Sequence, residues 1–136
     1  MADEHPARLA SHRSMQAVRE KAKEAWLDLF ADDIVIEDPV GVSPLDPEGK
    51  GHRGKAAIAA FWDANVAPNT IEFDIWHSYA SGNEVANVGR ITTTMPNGMR
   101  AVTEGVFVYR VNAAGKVVSL RAFWEFEKTM ASLGSS

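Results

Sequence analysis

Leu9, Met15, Val18, Ala22, Trp26 and Leu29 recur at near-helical spacing, so the stretch from about Ala7 to Leu29 predicts a helix with one apolar stripe. Ala, Glu, Lys, Gln and Arg dominate it, and no Gly or Pro interrupts it after Pro6. A break is expected near Glu24. Ile34 to Asp38 predicts a short strand that Pro39 stops, and a Gly- and Pro-rich loop runs from Val40 to Gly54. A second helix is predicted over Lys55 to Val66, with Ala57, Ile58, Phe61 and Trp62 turned inward. After Asn69 the rhythm changes to alternation, which predicts strands at 71–80, 84–95, 99–112 and 116–127. Ser81-Gly82-Asn83, Pro96-Asn97-Gly98 and Asn112-Ala113-Ala114-Gly115 supply the hairpin turns between them. Three hairpins in succession make an antiparallel meander. The helices must bury their stripes against one face of it. The expected fold is therefore α+β: one domain over 1–136, ordered from about 7 to 130, with residues 1–6 and 132–136 frayed. A curved sheet wrapped on its helices forms a cone with an apolar pocket at one end.

Composition narrows the possible partners. Apolar residues make up 46% of the 136, enough for a real core. The net charge is −4 with both signs interspersed, which argues against nucleic acid or an anionic membrane as partner. There is no cysteine, so thiolate chemistry and disulfides are excluded. No apolar run approaches the ~18 residues of a membrane span. Met1 to Ala10 is too polar for a secretory leader, so the expected location is the cytoplasm. No spacing of His and carboxylates reads as a metal site, and no cofactor is expected. Gly49, Gly51 and Gly54 imitate a nucleotide fingerprint, but they follow a Pro-rich loop rather than a strand.

Strand parity gives the candidate chemistry. Side chains two apart share a face, so Ile34, Ile36 and Asp38 point the same way. Asp38 would then face an apolar interior, where lost solvation raises a carboxylate's pKa and makes it a stronger base. The competing reading is that Asp38 opens the turn Asp-Pro-Val-Gly. Three further faces could line a cavity rich in aromatic rings. They are Ile71, Phe73, Ile75, His77 and Tyr79; Thr103, Gly105, Phe107 and Tyr109; and Val118, Leu120, Ala122, Trp124 and Phe126. Plain core packing would also explain them. His5, His12 and His52 fall in the tail, first helix and loop, where solvation is expected.

Several of these segments are familiar. Leu29-Phe30-Ala31-Asp32-Asp33, Val35 to Gly41, Gly54-Lys55-Ala56-Ala57-Ile58 with Phe61-Trp62, and Asn112 to Ala122 with Phe123-Trp124 resemble the bacterial ketosteroid isomerase family. The match runs in order from about Trp26 to Phe126. The wider group is the NTF2-like or SnoaL-like superfamily, and the long Val42 to Arg53 loop is similar to its actinobacterial, mycobacterium-type branch. The resemblance implies a homodimer packed through the sheet. It also implies a flat hydrophobic ligand such as a steroid ketone, and proton transfer that moves a double bond from the 5-ene to the 4-ene position. That chemistry is an established example for the family, not a property read from this chain. The family base lies in the Glu-Asp-Pro-Val-Gly motif, which places it at Asp38.

The resemblance also implies two hydrogen-bond donors for the dienolate oxygen, and here the chain departs from it. The tyrosine position falls at Ser14, or at Met15 after a slip, and the aspartate position at Phe107. Ser14, Tyr109 and the indole of Trp124 are the possible substitutes. Glu104 lies on the opposite face. The candidate ligand-binding residues are thus Ser14, Met15, Phe61, Trp62, His77, Phe107, Tyr109 and Trp124. Two alternatives stay open: a non-catalytic binder of flat hydrophobic ligands, and a lyase or dehydratase using an Asp38–His77 pair.

Overall fold

The computed structural model describes residues 4–135. Helix α1 spans Pro6–Glu20, α2 Lys23–Leu27, α3 Lys55–Asn65 and α4 Phe126–Ala131. The strands are β1 Phe30–Glu37, β2 His52–Arg53, β3 Thr70–Ser81, β4 Glu84–Thr94, β5 Met99–Val111, β6 Val117–Phe123 and β7 Gly134–Ser135. The sheet runs β2-β1-β6-β5-β4-β3, with β7 beside β5. The predicted meander from β3 to β6 is antiparallel throughout. β1 joins it parallel to β6, a long-range pairing that no local pattern announces.

The N-terminal helix is split earlier than expected. Lys21 takes a left-handed conformation (φ 57°) and closes α1, so the break falls before Glu24. At its other end the His5 imidazole caps α1 by accepting from the Ala7 N–H. Its Nε2 lies 2.8 Å from the Gly82 carbonyl oxygen, so this end is tied to the β3–β4 turn rather than frayed. Met1 to Asp3 lie outside the described residues.

β6 ends at Phe123, short of the expected 127, and the chain turns into α4. Thr129 of α4 pairs with Thr103, and Ser132 holds both backbone groups of Val102. β7 then pairs with Met99 and Arg100, so the segment from Ser132 to Ser135 is anchored. Ser136 lies outside the described residues.

Trp26 is the centre of the core between helices and sheet. Its ring sits 4.7 Å from Phe30 and 5.0 Å from Trp62. Ile34, Ile36, Ile58, Val85 and Val117 are fully buried around it. Burying one such side chain contributes about 1.5–3 kcal/mol, so this cluster is the main source of stability.

Two devices curve the sheet. Gly89 and Gly105 face each other across β4 and β5. A Cβ on Gly89 would run into the Asp74 carbonyl oxygen, and one on Gly105 into that of Phe123. Neighbouring backbone therefore folds over both glycines on the concave side. The second device is a bulge in β3, where Trp76 is the extra residue between Ile75, opposite Gly89, and His77, opposite Val88. Among the described residues no helix is long and apolar enough to cross a membrane.

Candidate functional site

The concave face and the helices enclose a cavity of about 340 Å³. Asp38 lies on its wall. Glu37 pairs in register with Arg121 on β6, and the Val40 N–H bonds the Ala122 carbonyl, so Asp38 is held beside Ala122. The parity argument holds: Ile34 and Ile36 are fully buried, while Glu37 turns outward to an ion pair with Arg121 at 3.0 Å. The Asp38 Oδ1 accepts a hydrogen bond from Trp124 Nε1 at 2.5 Å. Burial pushes the Asp38 carboxyl above the ordinary carboxylate range; the Trp124 hydrogen bond and the nearby His52 work against that rise.

Of the remaining candidates, Ser14, Met15, Phe61, Phe107, Tyr109 and Trp124 all line the cavity. Tyr109 is 6% exposed, and burial pushes its phenol up to about 12. The Ser14 hydroxyl beside it favours the ionised phenol, and the Asp38 charge disfavours it. Ser14 in turn accepts from Trp26 Nε1 at 3.2 Å.

Two candidates fall elsewhere. Trp62 is one helical turn from Ile58 and shares its face, so it packs on Trp26 in the core while Phe61 alone reaches the cavity. His77 is displaced by the β3 bulge. The extra residue shifts the parity, so Ile71, Phe73 and Ile75 point into the cavity while His77 and Tyr79 point out. His77 is exposed and stacks on Tyr79 at 6.2 Å. No Asp38–His77 pair forms, which removes the lyase reading built on it. Phe126, expected on the β6 face, instead opens α4 and does not line the cavity.

Two further buried polar side chains near the site were not among the candidates. His52, expected to be solvated, pairs opposite Ile36 on β1 and packs against Phe61 at 5.0 Å; its Nε2 is buried without a partner. A two-residue strand inside a Gly-rich loop carries no readable parity. Asn87 lines the cavity at 1% exposure, and there the signal was present, because it occupies an inward position between Val85 and Gly89. Its Nδ2 donates to Ser11 Oγ at 3.1 Å, and the Ser11 hydroxyl donates to the Arg8 carbonyl. Its Oδ1 has no partner. Because an unpaired buried acceptor offsets what the other bond contributes, Asn87→Leu is expected to leave the unfolding free energy from urea titration within about 1 kcal/mol of wild type. A loss above about 2 kcal/mol would show that the Oδ1 is in fact satisfied.

Taken together, the site is an apolar chamber with a desolvated carboxylate on one wall and a phenol on another. Among the described residues no cluster of three or more His, Asp or Glu could hold a metal ion. The arrangement suits proton abstraction from carbon in a flat apolar molecule.

Comparison with known proteins agrees with this architecture. The SnoaL-like domain family matches residues 12–120. A steroid Δ-isomerase of Nocardioides simplex is 31% identical over 112 residues, covering 82% of this chain and 84% of that protein. The crystal structure of Δ5-3-ketosteroid isomerase from a Mycobacterium species superposes with a TM-score of 0.88 at 41% identity, covering 96% of this chain and 98% of that one. A Mycobacterium tuberculosis protein solved in complex with estradiol-17β-hemisuccinate gives a TM-score of 0.88 at 34% identity, over 96% and 99% of the two chains. On sequence and backbone alike, the chain belongs to the SnoaL-like family of NTF2-like domains, with steroid Δ-isomerases among its relatives.

Proposed function

We propose that this protein is a steroid Δ-isomerase-like enzyme that binds a steroid or similar flat hydrophobic ketone, with Asp38 as the general base. The observation that carries the reading is the Asp38 carboxyl itself, set in the wall of an apolar cavity and held by the Trp124 indole. Burial raises its proton affinity, and the single indole bond fixes its direction without neutralising it. The identities to steroid Δ-isomerases support the same reading. The test is to mix the protein with a 5-ene-3-ketosteroid and follow the absorbance of the conjugated 4-ene-3-ketone. Absence of any acceleration over buffer would remove the enzymatic reading.

A binder without catalysis is the second reading. Ser14 and Phe107 favour it, because they stand where the resemblance implies oxyanion donors. Tight steroid binding without turnover would establish it.

The reading includes a homodimer formed through the convex face of the sheet. That face carries exposed rings, with Trp76 at 45%, Phe123 at 43% and Tyr79 at 64% exposure. Arg90 and Arg121 lie over the Trp76 and Phe123 rings at 5.6 and 5.3 Å. Sedimentation equilibrium at micromolar concentration is expected to give the mass of two chains; the mass of one would overturn the dimer.

A further inference from the structure

We propose that Tyr109 is the hydrogen-bond donor that holds the substrate ketone oxygen, with Ser14 and Trp26 as its positioning residues. This rests on the isomerase reading above and identifies what supplies the oxyanion site in its reaction.

Several donors in the cavity already bond other protein groups. The Trp124 N–H is committed to Asp38. The Asn87 Nδ2 gives one of its two N–H groups to Ser11, and its Oδ1 is an acceptor without a partner. The Thr103 and Thr129 hydroxyls pair with each other where α4 meets β5, which uses one of their two O–H groups. Asn65 and Asn69 donate to main-chain carbonyls of Phe61 and Asn65 at the helix α3 end. Thr93 lies six residues from Asn87 along β4, about 20 Å away at strand spacing. Phe107 has no donor. The Tyr109 phenol stands on the same wall as Phe107, two residues along β5, and opposite Leu120 in register.

Its surroundings orient it. The Trp26 indole donates to Ser14 Oγ, which leaves the Ser14 O–H free to turn toward the phenol. A hydroxyl that accepts at one side becomes a better donor at the other. A phenol that receives such a bond becomes in turn a better donor. Burial pushes the Tyr109 phenol up to about 12, so at neutral pH it keeps its proton to donate.

Placement relative to the base fits the reaction. Tyr109 lies on β5 and Asp38 follows β1, with β6 between them, so their backbones stand roughly 10 Å apart across two strand spacings. Both side chains point into the same cavity. A ketone ring between them exposes its acidic carbon to one and its oxygen to the other. The Asp38 carboxylate takes the proton from the carbon between the ketone and the double bond. The C–H electron pair becomes a carbon–carbon double bond, and the carbonyl π pair moves onto oxygen. Tyr109 donates to that oxygen and keeps its own proton. The Asp38 acid then returns the proton to the far carbon, and the oxygen's electron pair re-forms the ketone.

The test compares Tyr109→Phe, Ser14→Ala and Asp38→Asn. Tyr109→Phe is expected to lower kcat by about 10²–10³-fold with KM changed little, because the bond strengthens as charge develops. A kcat within about threefold of wild type, alongside an inactive Asp38→Asn, would overturn the Tyr109 role and leave the isomerase reading standing. An Asp38→Asn variant as fast as wild type would overturn both. The chain has 2 tyrosines, so in a Tyr79→Phe background only Tyr109 titrates by ultraviolet absorbance. Adding Ser14→Ala there is expected to move that titration upward; no movement would remove Ser14 from the positioning role. A reading independent of turnover and of the Tyr109 variant's folding uses the same background. The ¹³Cζ signal of Tyr109 is expected to shift with a 3-ketosteroid and not with its 3-deoxy counterpart. Equal shifts with both would overturn the proposal.

Discussion

Asp38→Asn is expected to lower kcat for 5-ene to 4-ene isomerisation by about 10²–10⁴-fold, the range a positioned general base supplies. The substitution preserves shape. The Trp124 indole can still donate to the amide oxygen, so the cavity and the ligand affinity should survive while the base is lost. The measurement is steady-state turnover beside the dissociation constant for the product. A variant that lost binding and turnover together would show that Asp38 organises the pocket rather than reacting in it. The pH profile gives a second check. Turnover needs the ionised carboxylate, whose proton affinity burial has raised. The acid limb of the rate should therefore lie above ~3.9, the ordinary carboxylate value.

The same group makes a signed prediction for stability. A carboxyl whose folded pKa is raised contributes its stability below the unfolded value, and that contribution is lost as pH rises through the folded value. Once the carboxyl ionises the wild type holds a desolvated charge, and the asparagine variant does not. The melting temperature of Asp38→Asn, minus that of wild type, is expected to grow from acid to neutral pH. A flat difference would mean that the carboxyl is solvated and ill-suited to its proposed task.

Gly105→Val is expected to be the most damaging change outside the site, at about 3 kcal/mol, the upper end of what overpacking costs. Gly105 has no left-handed backbone to protect; the barrier is contact. A new Cβ meets the Phe123 carbonyl oxygen and carbon and the Trp124 Cβ. Backbone of the neighbouring strand cannot swing aside as a flexible side chain can. Relief would come by moving Phe123 and Trp124, which detaches the indole from Asp38. Gly89→Val is the control. It collides with Asp74 and Ile75 on β3, the neighbour at the opposite edge, and leaves Trp124 alone. Both variants should unfold at lower urea with unchanged slope. At temperatures where both are folded, Gly105→Val should also lose turnover and Gly89→Val should keep most of it. Equal activity in the two would separate Trp124 from the Asp38 function.

Where the sequence could be read follows from the range of the interaction concerned. The meander was legible because alternation and hairpin turns are local, and Gly82, Gly98 and Gly115 all take positive φ in those turns. Asp38 was legible through Ile34 and Ile36, two residues apart on one strand. The seating of β1 beside β6 and of His52 opposite Ile36 was not, because both depend on partners distant in sequence. Asn87 was legible by parity, one amide at an inward position between Val85 and Gly89. Trp62 was misplaced because two neighbouring aromatic residues on a helix point about 100° apart, and only one can see the cavity. His77 was lost to a single surplus residue. Uniform pleating would turn it inward, and Trp76 breaks that pleat.

That surplus residue decides how much guest the chamber can admit. Were β3 counted out evenly, an imidazole and a phenol would hang inside, and much of the room now open to a polycyclic molecule would be furnished with the protein's own rings. Capacity here is set by arithmetic along the main chain, not by trimming side chains to smaller ones.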